Sequence, residues 1–337
     1  MDIDENGAER NERQGGFLSS RLFGVIRIAA TLAILAGLIF KLSPGELLDT
    51  VRDADPWLLV SAIALMFAVQ GLVIIKWMIL LRVRGVDAPM LSTARAYCMG
   101  NLLSTVLPTA VGGDVYRVYR VQRDASARAA DVTMSVLYER ATGYAAMTCI
   151  GALGAAFYYG DIAIGLLALG GGIAAACVLW LLLPRMPFPA VREDHFLRNL
   201  LAHRRELMAV YRMAVFSLLI QVMYISTIAL TGRAFGAHIS WWYWAFSTWL
   251  VALAVLLPVT LGGLGVRESS YSALIKHAGG TAAQGASTGF ALGLLQIIVN
   301  GGGLLLIEIA ERLGLFPEPA RTSVRVLSRE SAPAERT

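Results

Sequence analysis

Two arginines stand in the same local frame, 150 positions apart (267 − 117). Pro108-Thr109-Ala110-Val111-Gly112-Gly113-Asp114-Val115-Tyr116-Arg117 and Pro258-Val259-Thr260-Leu261-Gly262-Gly263-Leu264-Gly265-Val266-Arg267 both read P-x-x-[VL]-G-G-x-x-x-R. A guanidinium is a planar fork of donors that suits phosphate. A diglycine lets backbone approach a ligand closely and take up positive φ. The helix that starts after it offers free N–H groups and a partial positive charge to an anion. Each copy therefore has the makings of a phosphate cradle. Asp114 and Glu268 place a carboxylate near each arginine, and Tyr271 falls four residues after Arg267 on the same helical face. Glu139-Arg140 form a further charged pair in otherwise apolar sequence.

Each of these residues also has a plainer reading. Arg120 and Arg123 continue the basic run after Arg117, so Arg117 can snorkel toward a cytoplasmic loop while the glycines serve helix packing. Asp114 in a first helical turn can simply cap free amides. Glu139 and Arg140 come early in their apolar segment and can pair at the interface; inside the bilayer they must face the protein interior. Snorkelling suits Arg267 less, because positive charge is scarce on its side of the chain and Glu268 is a second costly charge beside it.

The elements that carry these residues are membrane segments. A composition of 56% hydrophobic and 16% charged residues, with 33 glycines and a mean hydropathy of +0.61, is too apolar for a soluble globule. The net charge of +5 sits in short loops between apolar runs, which is the positive-inside pattern and excludes a nucleic-acid patch. Cys98, Cys149 and Cys177 read as small core residues, and no His or Cys spacing suggests a metal or another cofactor.

Residues 1–20 read as a disordered cytoplasmic head, and 311–337 as a cytoplasmic tail. Leu22–Phe40 is a span, Lys41–Pro56 an external loop, and Trp57–Leu81 a second span leaving on the inside through Lys76, Arg82 and Arg84. Ala94–Leu107, about 14 residues, is too short to cross at about 1.5 Å per residue, so 94–123 reads as a re-entrant hairpin. Asp131–Tyr159 and Ile162–Leu183 cross around a minimal external turn, and Pro184–Arg212 is a long internal loop. Met213–Leu230 crosses, 241–278 forms the second hairpin behind an aromatic interfacial cluster, and Gln284–Ile309 crosses back. The expectation is an all-α polytopic membrane protein of two inverted repeats, 21–160 and 161–310. It has six full spans plus two re-entrant broken-helix hairpins, eight hydrophobic elements, and both termini inside. Such discontinuous helices meet near the midplane in secondary transporters and form the substrate site there.

Tyr97…Asn101…Leu107-Pro108…Gly112-Gly113-Asp114…Arg117, then Glu139-Arg140 with Gly143, and Leu257 through Glu268 together resemble the lysylphosphatidylglycerol synthase transmembrane-region family, also called flippase-like. The resemblance runs over roughly residues 20–312. It implies a polytopic module that translocates a lipid, and its motif carries over to Asp114, Arg117, Glu139, Arg140, Arg267 and Glu268. In the two-part members a separate soluble domain makes the aminoacylated lipid. Too few residues follow the last span here for such a domain, so no catalytic residue is expected.

The function expected is a flippase for an anionic phospholipid or polyprenyl-linked sugar of the bacterial inner membrane. Its head group is bound by Arg267, Glu268, Arg117, Asp114, Gly112, Gly113, Gly262, Gly263, Glu139, Arg140 and Tyr271. No GxxxxGK[ST] motif is present, so energy would come from gradients or substrate consumption. The competing readings are a non-transporting partner of an envelope-lipid or glycan synthase, a small-anion carrier, and a membrane transferase that would need an Asp-rich motif not seen here.

Overall fold

The computed structural model describes residues 44–106, 112–182, 204–256, 260 and 263–315. Leu22–Phe40, both termini, most of the loop from Pro184, and the breaks at 107–111 and 257–262 apart from Thr260 lie outside the described residues. Pro108, Pro258 and Gly262 are among them. The described elements are all α-helices: α1 (Pro44–Arg52), α2 (Pro56–Val83), α3 (Met90–Val106), α4 (Gly112–Ala125), α5 (Ala129–Tyr159), α6 (Ile162–Leu182), α7 (Arg204–Ala234), α8 (Trp241–Leu256), α9 (Val266–His277) and α10 (Ala282–Arg312).

Local chemistry sets many of the ends. Asp55 caps α2 by accepting the N–H groups of Trp57 and Leu58, with Pro56 preset for the first turn. Gly160 stops α5 in the left-handed conformation at φ 67°. Thr281 and Gln284 form a reciprocal capping box at the start of α10. Two expectations need correction. Part of the supposed loop Lys41–Pro56 is the helix α1, and the end of the supposed loop Pro184–Arg212 is the polar first part of α7. Hydropathy marks where a helix enters apolar surroundings, and the helix itself extends beyond that point.

Three described helices are long and apolar enough to cross a membrane, within α2, α7 and α10; the apolar stretches in α6 and α8 are shorter. Helix α5 is as long as α10, 31 residues, but it lies outside that set. Its composition is more polar, and its surroundings allow that. It is packed by α2, α4, α6, α7 and α8, and its buried face carries Ser135, Glu139, Thr142 and Thr148. A helix enclosed by protein can carry the polar groups that a lipid-facing helix cannot.

The packing has a regular pattern. The amide of Asp55 donates to the carbonyl of Ala234 at 2.9 Å, so the start of α2 meets the end of α7 and the two run antiparallel. Helix α8 lies on α5, and α3 lies on α10. Shifting α5 by +150 and α8 by −150 overlays the first pair on the second. Small residues sit at both contacts: Gly151 faces Trp249 in one pair, and Gly303 faces Cys98 in the other. The core divides accordingly. One large cluster centres on Tyr243, Trp244, Ile225 and Ile228, a second on Trp77, Tyr97, Val121 and Val132, and a small third holds Leu80, Met134 and Tyr138. Cys98 belongs to the second cluster, whereas Cys149 and Cys177 are exposed rather than core residues.

Candidate functional site

Helix α4 buries a single stripe, Gly113, Arg117 and Val121, at four-residue spacing. The stripe can lie close to α3 because Gly113 meets Gly100: a Cβ on Gly113 would collide with the Gly100 carbonyl and the Ser104 hydroxyl. A Cβ on Gly100 would stand 2.6 Å from Cγ of Arg117. The first diglycine thus serves close approach. In the second break Gly263, at φ 76°, and Gly265, at φ 82°, supply conformation.

Arg117 is 1% exposed, which removes the snorkelling alternative. Its guanidinium lies against two rings, 4.1 Å from the Trp77 centroid and 4.4 Å from that of Tyr97. One Nη donates to Oε2 of Glu139 at 2.7 Å and the other to Oδ1 of Asp114 at 3.2 Å. Arg140 donates to the same Asp114 oxygen at 2.9 Å. Asp114 therefore bridges two arginines. Glu139 and Arg140 take partners from α4, instead of closing the interfacial pair with each other that sequence allowed. The Trp77 indole is fixed by its own hydrogen bond to Ser135 at 3.0 Å.

The second half is built differently. Arg267 donates through Nε and Nη2 to Oε1 of Glu268, at 3.2 and 2.8 Å. The other Glu268 oxygen takes the Gly265 amide at 2.6 Å and so closes the helix start. Glu268 is only 2% exposed. Helix α9 packs on α10 over Gly285, Gly289 and Gly293, and the guanidinium of Arg267 rests against Gly293. Tyr271 is buried as well, but its hydroxyl donates to Thr248 on α8 at 3.2 Å. Tyr224 of α7 lies in range of Arg267 and of Gln296.

The sequence-derived residues thus fall into two groups. Arg117, Asp114, Glu139 and Arg140 come together in one, flanked by Gly113, and Arg267 and Glu268 with Tyr271 nearby form the other. Gly112 opens α4, Gly263 precedes α9, and Gly262 lies outside the described residues. Sequence reasoning missed Lys76, Trp77 and Tyr97. Lys76 was placed at the inner exit of its span, yet it is 3% exposed and donates to the Glu139 carbonyl at 3.0 Å. A signal existed in the rarity of lysine, three in the whole chain, two of them in polar segments. Among the described residues no group of three or more His, Cys, Asp or Glu is placed to hold a metal ion.

Comparison with known proteins agrees with this architecture. Residues 25–301 match the family described as the lysylphosphatidylglycerol synthase TM region. A UPF0104 membrane protein of Methanothermobacter thermautotrophicus is 27% identical over 118 residues, 35% of this chain and 35% of that protein. The shared stretch thus spans about a third of that relative's length. No solved structure matches the chain.

Proposed function

The chain belongs to the lysylphosphatidylglycerol synthase transmembrane-region family of multi-pass integral membrane proteins, and from that premise we propose that it translocates an anionic phospholipid or lipid-linked sugar across the bacterial inner membrane. The observation that carries the reading is the pair Arg117 and Arg267. They occupy equivalent positions behind glycine breaks, each held by a carboxylate inside the helical bundle. Buried charge in a membrane protein is costly and marks substrate or ion paths.

On this reading 21–160 and 161–310 are inverted repeats, six spans and two re-entrant hairpins, 94–123 and 241–278, with both termini cytoplasmic. The antiparallel course of α2 and α7 and the exchanged packing of α3 and α8 support it. A phosphate entering from one leaflet replaces the carboxylate on the guanidinium, exchanging one charge-assisted hydrogen bond for another. The freed carboxylate, Glu139 or Glu268, can then hold a proton or a second cationic group. The tails stay in lipid while the halves rock about the head group. The chain acts as a carrier rather than an enzyme, drawing on a gradient or on consumption of the lipid.

The test is translocation of a fluorescent short-chain phosphatidylglycerol in proteoliposomes, read by quenching from outside. Wild type should transport. Arg267→Ala, matched for folded protein, should fall by roughly tenfold or more, the loss of one charged partner. Wild-type transport by that variant would refute the assignment. Inactivity of both would favour the scaffold, and phosphate uptake without lipid movement would favour the small-anion carrier.

A further inference from the structure

The turns that follow α2 and α7 share one backbone. Gly85 at φ 74° and Gly236 at φ 79°, 151 positions apart (236 − 85), each stop their helix in the left-handed conformation. The glycine amides bond back to the carbonyls of Arg82 and Arg233, both at 2.9 Å. The next amides, of Val86 and Ala237, bond back to Leu81 and Gly232, again both at 2.9 Å. Each turn is therefore a control for the other.

The side chains on this shared backbone differ in one respect. Both turns carry an arginine at the same place, Arg82 and Arg233. Two residues after the glycine the first has Asp87 and the second has His238. Arg82 Nε stands 4.0 Å from the Asp87 carboxylate. Arg233 has no acid at the equivalent point, and no described carboxylate lies within 4 Å of it or of His238. Asp55 is close in the chain packing, its amide bonded to the Ala234 carbonyl, but its carboxylate accepts the Trp57 and Leu58 amides.

The turn without an acid also has a cleft. Arg233, His238 and Ser240 form the polar side, and Leu58 and Ile239 the apolar side, of a hollow of about 530 Å³ between the start of α2 and the α7–α8 turn. Arg233, His238 and Ser240 are all exposed. Trp57 and Trp241 adjoin the lining residues in sequence, and Trp57 is 79% exposed. Exposed indoles settle at the head-group level of a bilayer. A basic hollow with one apolar wall at that depth matches the junction of a phosphate and its glycerol.

We propose that Arg233, His238 and Ser240 bind the phosphate of an anionic phospholipid head group in this cleft. The guanidinium supplies a charged fork of donors, and the imidazole and the hydroxyl supply further donors. Leu58 and Ile239 lie against the less polar part of the lipid. Free phosphate presents the same oxygens, but it makes no use of the apolar wall or the indoles. That the cleft opens to the outer leaflet rests on the topology proposed above; the binding site does not.

The experiment is a thermal-stability titration of purified full-length protein in mild detergent. The variants are Arg233→Gln, His238→Asp and, at the equivalent turn, Arg82→Gln. All three side chains are exposed, so without ligand each variant should melt within about 2 °C of wild type. The probes are dihexanoyl phosphatidylglycerol, dihexanoyl phosphatidylcholine and inorganic phosphate. A ligand that binds only the native state raises its melting temperature. The expected result is stabilisation of wild type by the phosphatidylglycerol, with roughly tenfold or more weaker apparent affinity in Arg233→Gln and His238→Asp. His238→Asp should weaken it because it gives Arg233 the acid that Arg82 already has. Arg82→Gln should bind as wild type does. Equal stabilisation by inorganic phosphate, lost in the same two variants, supports the anion site and identifies a soluble occupant. No stabilisation of wild type, binding that ignores both substitutions, an equal loss in Arg82→Gln, or equally tight phosphatidylcholine overturns the proposal. Translocation measured on the same proteins separates the two readings. Lipid movement by wild type with binding that ignores both substitutions sinks only this site. Binding lost in both variants, with no lipid movement by wild type, sinks only the translocator.

Discussion

Replacing Glu139 by leucine should destabilise the protein sharply, and a second substitution should rescue it. Glu139 supplies the 2.7 Å partner of Arg117, whose side chain is 1% exposed. Removing one member of a buried pair costs about 3–5 kcal/mol, because the remaining charge is stranded in low dielectric. Arg117 keeps Asp114 at 3.2 Å, but that carboxylate is shared with Arg140, so compensation is partial. The two flanking rings add about 0.5–2 kcal/mol each and are unchanged by the substitution. The expected loss is therefore near the lower end, about 3 kcal/mol. Arg117→Met alone strands Glu139 and should cost a similar amount. The double variant removes both charges and leaves an apolar chain against Trp77 and Tyr97. It should be about 2–3 kcal/mol more stable than the sum of the singles predicts. The assay is reversible unfolding by dodecyl sulfate in mixed micelles, followed by tryptophan fluorescence. A loss under about 1 kcal/mol for Glu139→Leu, or strict additivity in the double variant, would refute the buried ion pair as a structural element.

The glycines give predictions that separate packing from function. Gly113→Ala places a methyl group against the Gly100 carbonyl and Ser104, where backbone must yield, and should cost about 1–3 kcal/mol in the same unfolding assay. Gly293→Ala places one against the flexible end of Arg267, which can swing aside. That variant should melt within a few degrees of wild type, yet lose lipid translocation about as severely as Arg267→Ala, because the guanidinium no longer holds its position on Glu268. Normal translocation in a folded Gly293→Ala variant would show that the placement of Arg267 does not matter.

The all-helical, membrane-spanning character was legible because long apolar runs have few alternative uses. What sequence left open was direction: whether Arg117 reaches out to water or in to protein is decided by the partners on α2, α3 and α5. Trp77 looked like an ordinary apolar residue and Tyr97 entered only as part of the family motif; that both rings lie against a guanidinium shows only once α2 and α3 converge. Lys76 was misread for the opposite reason. A basic residue near the inner end of a span fits the positive-inside rule so well that its burial against α5 leaves no mark in hydropathy. Helix α5 was read as a crossing from its apolar stretch, and its enclosure by α2, α4, α6, α7 and α8 is what sequence left open.

The two halves also differ in where each arginine finds its carboxylate, and on the translocator reading that difference has a mechanical consequence. Glu268 is the residue next to Arg267 on α9, so the pair travels together when the second hairpin moves. Glu139 is on α5 while Arg117 is on α4, so any movement that parts these helices breaks the pair. Opening the second hairpin therefore keeps its pair together, whereas opening the first leaves Glu139 unpaired and Arg117 with Asp114 alone, its neighbour on α4. A ligand can drive a conformational change only by its differential affinity for the two states. The first half has that differential built in. Its guanidinium is held by two carboxylates when closed and by Asp114 alone when open, so on this reading a bound head group and the parted helices stabilise each other.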